Sequence, residues 1–258
     1  MSASQVVHVE VDDAIATITL DSQHNRNALS RQLLAELHQA LDAAEGAAAR
    51  AIVLTHRGPA FCAGADLKER STQGSTDPDS NTDSNPFVEA LVRLMDTERP
   101  TIAAVNGAVR AGGIGLMAAC DLVVVAESTT FALTEVRIGV APAIISVPIL
   151  RRVAPSRIAA AMLTGESFDA HEARSMGLIT HVSADVGATV DALTSGILAG
   201  APRAVAETKR LLHTVVTMDR TAAFETMARL SNELFGSADA AEGMAAFAAK
   251  RPPVWRPS

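Results

Sequence analysis

The 258-residue sequence predicts an α/β fold: an α/β core over residues 1–200 and a C-terminal helical region over 201–258. Three observations lead there. Short apolar runs at 51–55, 101–105 and 121–126 alternate with helix-patterned segments up to about residue 135. From about residue 144 nearly everything follows a helical pattern. Hydrophobic residues make up 48%, with one Trp and no Tyr, so the core is built from Ala, Val, Leu and Ile, as suits close-packed helices around a sheet.

The elements follow in order. Residues 5–20 alternate apolar and polar about a turn at Asp12-Asp13, the period-two signature of a hairpin. A polar stretch, 25–30, leads to a helix with Leu33, Leu34, Leu37 and Leu41 on one face and Ser30 as its N-cap. Residues 51–55 read as a buried strand running into a Gly/Ala turn, 61–66, with a helix starting at Asp66. That is either a natural anion and oxyanion site or an ordinary strand-to-helix turn. Residues 71–85 contain no large apolar side chain and read as an acidic, low-complexity loop, either a lid or a surface segment with no role.

An amphipathic helix at 87–95 and a strand at 101–105 come next, then a turn at Asn106-Gly107 and a helix of small residues, 111–120. Glycine at a helix start costs about 1 kcal/mol relative to Ala. Either close approach to a ligand or tight helix packing offsets that cost. Strands are expected at 121–126 and 131–134. Beyond 144 the pattern gives helices at 145–153, 156–163, 170–176, 187–199, 203–217, 219–234 and 238–249, interrupted by a strand at 178–182. No solenoid repeat is present.

Composition narrows the function classes. A net charge of −7 gives nucleic acid no electrostatic support. Cys62 and Cys120 lack metal spacing and point to a reducing compartment, with a disulfide between them left open. The N-terminus does not look like a signal peptide, and no apolar run reaches the ~18 residues of a membrane span, so the chain reads as soluble and cytoplasmic. The seven His are scattered and no metal is expected. Neither a G-x-S-x-G elbow nor a dinucleotide fingerprint occurs.

What remains is a pair of Gly/Ala turns, 57–69 and 106–115, and a lone carboxylate, Glu135, in an apolar and Thr-rich setting. Two bare backbone N–H donors and one carboxylate can hold an oxyanion and move a proton beside it. Burial should raise the pKa of Glu135. A surface Glu at a helix start is the plainer alternative.

Three motifs occur in order: F-x-A-G-A-D-L-K-E at 61–69, A-V-N-G…G-G-I-G…C-D at 104–121, and F-x-x-x-E-x-x-x-G at 131–139. They resemble the crotonase, or enoyl-CoA hydratase/isomerase, superfamily, and the resemblance runs from about Val6 to Arg251. Residues 132–146 look most like the branched glutaconyl-CoA hydratase subgroup, of methylglutaconyl or isohexenylglutaconyl type. The resemblance implies a crotonase-like ββα spiral core, a C-terminal helical trimerisation region, and homotrimers or hexamers. It implies an acyl-CoA thioester substrate, with coenzyme A part of the substrate and no separate cofactor.

By the same resemblance, the N–H groups of Ala65 and Gly112 form the oxyanion hole and Glu135 is the acid/base. Arg26, Ala28, Ala63, Ala65, Asp66, Leu67 and Lys68 line the CoA groove. Phe247 and Lys250, in E-G-x-x-A-F-x-x-K-R at 242–251, reach CoA on a neighbouring subunit. Loop 71–85 and residues 141–149 would shape the acyl pocket. The CoA phosphates then need a local positive field in an acidic protein.

One departure matters. Hydratases of this family normally carry a second Glu where this chain has Gly115, whereas the branched glutaconyl-CoA hydratase subgroup resembles this chain in having Gly there, which keeps hydration the leading reading. Hydration of an enoyl-CoA, double-bond isomerisation by Glu135 alone, and acyl-CoA binding without turnover all remain open, with Asp66 and Glu69 as weak candidates for a second carboxylate.

Overall fold

The computed structural model describes residues 4–72 and 85–255. Most of the expected lid, 73–84, therefore lies outside the described residues.

The chain opens with the expected hairpin, β1 (Val7–Asp12) and β2 (Ile15–Leu20), antiparallel and in full register from Val7 opposite Leu20 to Asp12 opposite Ile15. Its turn is Asp13-Ala14, both left-handed at φ 44° and 61°, as a tight hairpin turn requires. Helix α1 (Arg31–Gly46) starts where expected. The Ser30 hydroxyl accepts from the Leu33 N–H at 3.2 Å, and Leu33, Leu34, Leu37 and Leu41 are buried.

Then follow β3 (Ala51–His56), β4 (Ala60–Cys62), α2 (Leu67–Thr72), α3 (Pro86–Asp96), β5 (Thr101–Val105), β6 (Ala108–Arg110), α4 (Gly112–Ala118), β7 (Leu122–Ala126) and β8 (Thr130–Ala132). A 3-10 turn, Thr134–Ile138, leads to α5 (Ala143–Leu150), α6 (Pro155–Thr164), β9 (Ser167–Asp169), α7 (Ala170–Met176), β10 (His181–Ser183) and α8 (Val186–Ala199). The chain ends in α9 (Pro202–Thr214), α10 (Arg220–Phe235) and α11 (Ala238–Ala248).

The strands form two sheets, one in the order β1-β2-β3-β5-β7-β10 and a smaller one in the order β4-β6-β8-β9. Each pass contributes a strand to the large sheet, a short strand to the small sheet, and then a helix: β3-β4-α2, β5-β6-α4 and β7-β8 with its 3-10 turn and α5. This winding is the ββα spiral that the resemblance implies. From β2 to β10 the large sheet is parallel, and its central strands β3, β5 and β7 are largely buried and read as continuous apolar runs, whereas β2 keeps the alternation of the hairpin. One core lies between the sheets, around Leu20, Leu37, Phe61, Val105, Ile114 and Phe131. A second packs Val53, Ile102 and Val124 beneath Val186 and Val190 of α8.

Three expectations need correction. The small sheet is absent from the sequence reading, because β4, β6 and β9 are each three residues long, too short to show a period of two. The strand expected at 178–182 begins only at His181. Leu178 and Ile179 are buried lead-in residues, held by the Thr180 hydroxyl accepting from the Val123 N–H at 2.8 Å. Cys62 and Cys120 are both buried and free, so the disulfide left open does not form; burial pushes each thiol up to about 12.

The helical region is tied to the core by buried polar contacts. Lys209 on α9, 5% exposed, pairs with Asp121 at 2.9 Å and donates to the carbonyls of Leu94 (3.1 Å) and Arg99 (2.9 Å). Arg50 donates to the carbonyls of Leu198, Gly200 and Trp255. Among the described residues no helix is long and apolar enough to cross a membrane.

Candidate active site

Strands β4, β6 and β8 are mutually parallel neighbours, pairing Ala60 with Ala108 and Val109 with Phe131. Their C-terminal ends therefore open on one side of the small sheet. Ala65 lies three residues beyond β4, Gly112 two beyond β6, and Glu135 three beyond β8. The three predicted functional positions are thus delivered side by side, at the strand ends where parallel sheets characteristically bind ligands.

The turns are braced against one another. Gly64 holds φ 88°, and a Cβ there would lie 2.8 Å from the Ala111 side chain and 3.3 Å from the Gly112 nitrogen. Ala111 sits at φ 47°, ψ −121°, a strained conformation for a residue with a side chain, and its N–H donates to the Ala132 carbonyl at 3.0 Å. That contact ties the Gly112 turn to the strand that carries Glu135. Among the described residues, neither the Ala65 nor the Gly112 N–H donates to a protein acceptor. Such donors can serve a ligand.

The glycines of α4 divide between the two explanations open from sequence. A Cβ on Gly113 would meet the Cys62 side chain at 2.7 Å, and one on Gly115 would meet Ile145 Cγ2 at 2.3 Å and Cβ at 2.6 Å. Tight packing accounts for these two. A Cβ on Gly112 would overlap the tip of the Leu29 side chain at 2.7 Å and otherwise make ordinary contacts with Phe87 (3.6 Å) and Gly64 (3.7 Å), so packing constrains that position less.

Glu135 lies in the first turn of the Thr134–Ile138 helix and is half-buried. Its Oε2 is buried with no hydrogen-bond partner among the described residues. Burial holds the carboxyl above the ordinary carboxylate range, and only its own backbone N–H pulls the other way. A proton-exchanging group at neutral pH needs this kind of setting.

The predicted CoA-lining segments also meet. The Ala63 N–H donates to the Arg26 carbonyl (3.1 Å), the Leu29 N–H to the Gly64 carbonyl (2.7 Å), and Leu29 bridges Ala65 in parallel. Arg26, Leu67 and Lys68 are exposed along this edge, and Ala28 is buried beneath it. Asp66 is occupied structurally. It accepts from the Asn25 amide (3.0 Å) and from the N–H groups of Lys68 (3.0 Å) and Glu69 (3.3 Å). The Asn25 bond leads in holding Asp66 below its usual range, and Glu69 accepts from the Arg31 N–H at 3.0 Å. Both carboxylates thus serve as local acceptors, Asp66 at the start of α2 and Glu69 at the start of α1.

Phe247, 87% exposed, and Lys250 stand apart, on and just past α11, which packs on α10. Cavities of about 460 Å³ beside α8 and about 350 Å³ among α9, α10 and α11 contain none of the predicted site residues.

Sequence reasoning missed Asn27. It is fully buried, with φ 55°. Its Oδ1 accepts from the Ser22 N–H (2.6 Å), and its Nδ2 donates to the carbonyls of Arg57 (3.2 Å) and Ala60 (2.9 Å), pinning the 25–28 segment to β4. Only its place between Arg26 and Ala28 hinted at this.

Comparison with known proteins agrees with this geometry. The profile of the family described as enoyl-CoA hydratase/isomerase matches residues 10–258. A Thermus thermophilus protein assigned as an enoyl-CoA hydratase is 36% identical over 244 residues, 93% of this chain and 96% of that protein. Enoyl-CoA hydratase EchA19 of Mycobacterium tuberculosis is 34% identical over 92% of this chain and 91% of its own. The crystal structure of an enoyl-CoA hydratase from Shewanella pealeana superposes with a TM-score of 0.90 at 27% identity, covering 97% of this chain and 96% of that one.

Proposed function

Because the chain belongs to the enoyl-CoA hydratase/isomerase family, we propose that it adds water reversibly across the 2,3-double bond of an enoyl-CoA thioester. The observation that carries the proposal is the placement, just past the ends of three parallel strands, of two N–H groups and a buried Glu135 Oε2 that have no hydrogen-bond partner among the described residues.

The thioester oxygen lies between the N–H groups of Ala65 and Gly112. Glu135 takes a proton from water as the hydroxyl adds to C3, and the displaced π pair becomes an enolate whose oxygen both donors hold. The enolate then collapses and C2 takes the proton from Glu135, restoring the carboxylate. Loss of one such donor costs about 3–4 kcal/mol in the barrier. CoA runs along the Arg26–Ala28 and Ala63–Lys68 edge, where Arg26 and Lys68 supply positive charge to phosphates.

The Ile145 side chain against Gly115 favours a second reading. With that position closed, a single carboxylate suffices to carry a proton between carbons, which is double-bond isomerisation.

The branched glutaconyl-CoA class remains our proposed substrate type, supported by residues 132–146. The exposed Leu212, Val216, Phe224 and Phe235 support assembly through the helical region into a trimer or hexamer, in which Phe247 and Lys250 reach a neighbour's CoA. The free, buried cysteines fit a cytoplasmic setting.

The test is loss of the conjugated enoyl-thioester absorbance with crotonyl-CoA and with 3-methylglutaconyl-CoA, comparing wild type with Glu135→Gln. Loss of the band that the variant abolishes supports hydration. Because isomerisation also breaks the conjugation, the product decides between the two: gain of one water means hydration, and unchanged mass with a shifted double bond means isomerisation. Tight binding without any product means a binder.

A further inference from the structure

The Glu135 carboxylate has a buried oxygen with no hydrogen-bond partner among the described residues, so its aim depends on the backbone turn that carries it. One end of that turn is well anchored: Leu133 is fully buried, and Phe131 on β8 stacks on Phe168 of β9 with ring centroids 5.3 Å apart. The other end has little apolar anchorage. Ile138 is 58% and Val140 52% exposed.

Arg137 supplies the missing anchor. It stands two residues after Glu135 in the same 3-10 turn and reaches across to the end of α6. Its Nε donates to the Thr164 carbonyl at 3.0 Å and its Nη2 to Glu166 Oε1 at 2.6 Å. Between these partners Gly165 turns the chain at φ 67°. A Cβ at that glycine would lie 3.0 Å from Arg137 Nε, 3.1 Å from its Cγ and 3.2 Å from its Cδ. Gly165 thus leaves the space in which the Arg137 side chain lies flat on the α6 terminus.

We propose that Arg137 is a positioning residue for the reaction, a clamp that fixes the Glu135 turn to the C-terminal end of α6 and so sets where the carboxylate points. The inference rests on Glu135 being the acid/base. Arg137 and Glu166 are substantially solvated, and exposed pairs of this kind contribute little to global stability. Catalysis is far more sensitive: a misplacement of about 1 Å at a reacting group can cost ~100-fold in rate. Losing the clamp should therefore slow turnover much more than it destabilises the fold.

The experiment compares wild type, Arg137→Ala and Arg137→Lys by steady-state kinetics on crotonyl-CoA, thermal unfolding, and deuterium uptake in a peptide spanning residues 133–141. That peptide contains the amides of Gly139 and Val140, which donate to the Val136 and Glu135 carbonyls. For Arg137→Ala the expected result is a kcat at least about tenfold lower with KM changed less than about threefold, faster uptake confined to the turn, and nearly unchanged Tm. Arg137→Lys, which keeps one donor, should recover part of kcat. If Arg137→Ala does not fold, Gly165→Ala crowds the same side chain from the α6 side and should give the same kinetic split.

Unchanged kcat overturns the inference. So does a loss of activity that merely follows the fraction unfolded, or uptake identical to wild type. Should wild type turn over no thioester, the hydratase reading fails, and the uptake comparison alone still decides whether the clamp exists.

Discussion

Replacing Gly115 with Ala tests whether Ile145 keeps a side chain out of that position. The new Cβ would stand 2.3 Å from Ile145 Cγ2, 2.6 Å from its Cβ and 3.3 Å from its Cα. Carbon atoms pack at about 3.5–4.0 Å, so the overlap exceeds an ångström. It falls on a branch carbon next to the backbone of α5, which no rotamer change can move away. Helix propensity favours Ala over Gly by about 1 kcal/mol. Overpacking in a close-packed core costs about 1–3 kcal/mol, and a clash this near the backbone belongs at the upper end. The net expectation is about 1–2 kcal/mol of destabilisation. At about 2–4 °C per kcal/mol for a chain of this size, Tm falls by roughly 2–8 °C.

Thermal unfolding of wild type, Gly115→Ala, Ile145→Ala and the double variant completes a cycle. Ile145→Ala alone should cost about 2–5 kcal/mol by leaving a cavity. The double variant should be more stable than the sum of the singles by about 1 kcal/mol or more, because each change relieves the other. Additive effects, or a Gly115→Ala variant that melts above wild type, would refute the reasoning. If it holds, Gly115→Glu cannot install a second catalytic carboxylate unless α5 moves.

Three further predictions follow from other contacts. Glu135 has its folded-state pKa raised by burial, so the folded protein binds the extra proton more readily than the unfolded chain; this group's contribution is best below about 4.5 and becomes unfavourable as pH rises through the folded value. Glu135→Gln should thus melt at or above wild type at pH 7, with the gap closing below pH ~4.5, while turnover falls by about 10²–10⁴; a variant less stable at pH 7 would count against a desolvated carboxyl. Lys209→Met leaves Asp121 buried without its ammonium partner and should cost about 3–5 kcal/mol in denaturant unfolding, and a loss below about 1 kcal/mol would show the pair to be dispensable. Asn27→Ala strands the Ser22 N–H and the Ala60 carbonyl and places Ala at φ 55°. It should cost about 2–4 kcal/mol and raise KM for the thioester more than it lowers kcat.

Much of this protein was legible in the chain as written, for reasons that are local. The Asp12–Ala14 hairpin, the Ser30 cap with its leucine face, and the apolar runs of β3, β5 and β7 follow from periodicity and hydrogen-bonding chemistry that act within a few residues. So does the Asp66 cap that starts α2. The motifs that pick out Ala65, Gly112 and Glu135 are likewise strings of neighbours, and the family they indicate is the one the comparisons show.

What only tertiary structure decided are relations between residues far apart in sequence. Strands β4 and β6 have too few residues to show a pattern, and β8, expected from sequence, does not reveal its partners, yet the parallel pairing of the three is what brings three turns to one place. The burial of Asn27, the Ile145 wall against Gly115 and the reach of Arg137 to Thr164 and Glu166 each depend on which element packs against which. No propensity encodes such contacts, because their energy exists only once the spiral has closed and the two surfaces share one volume.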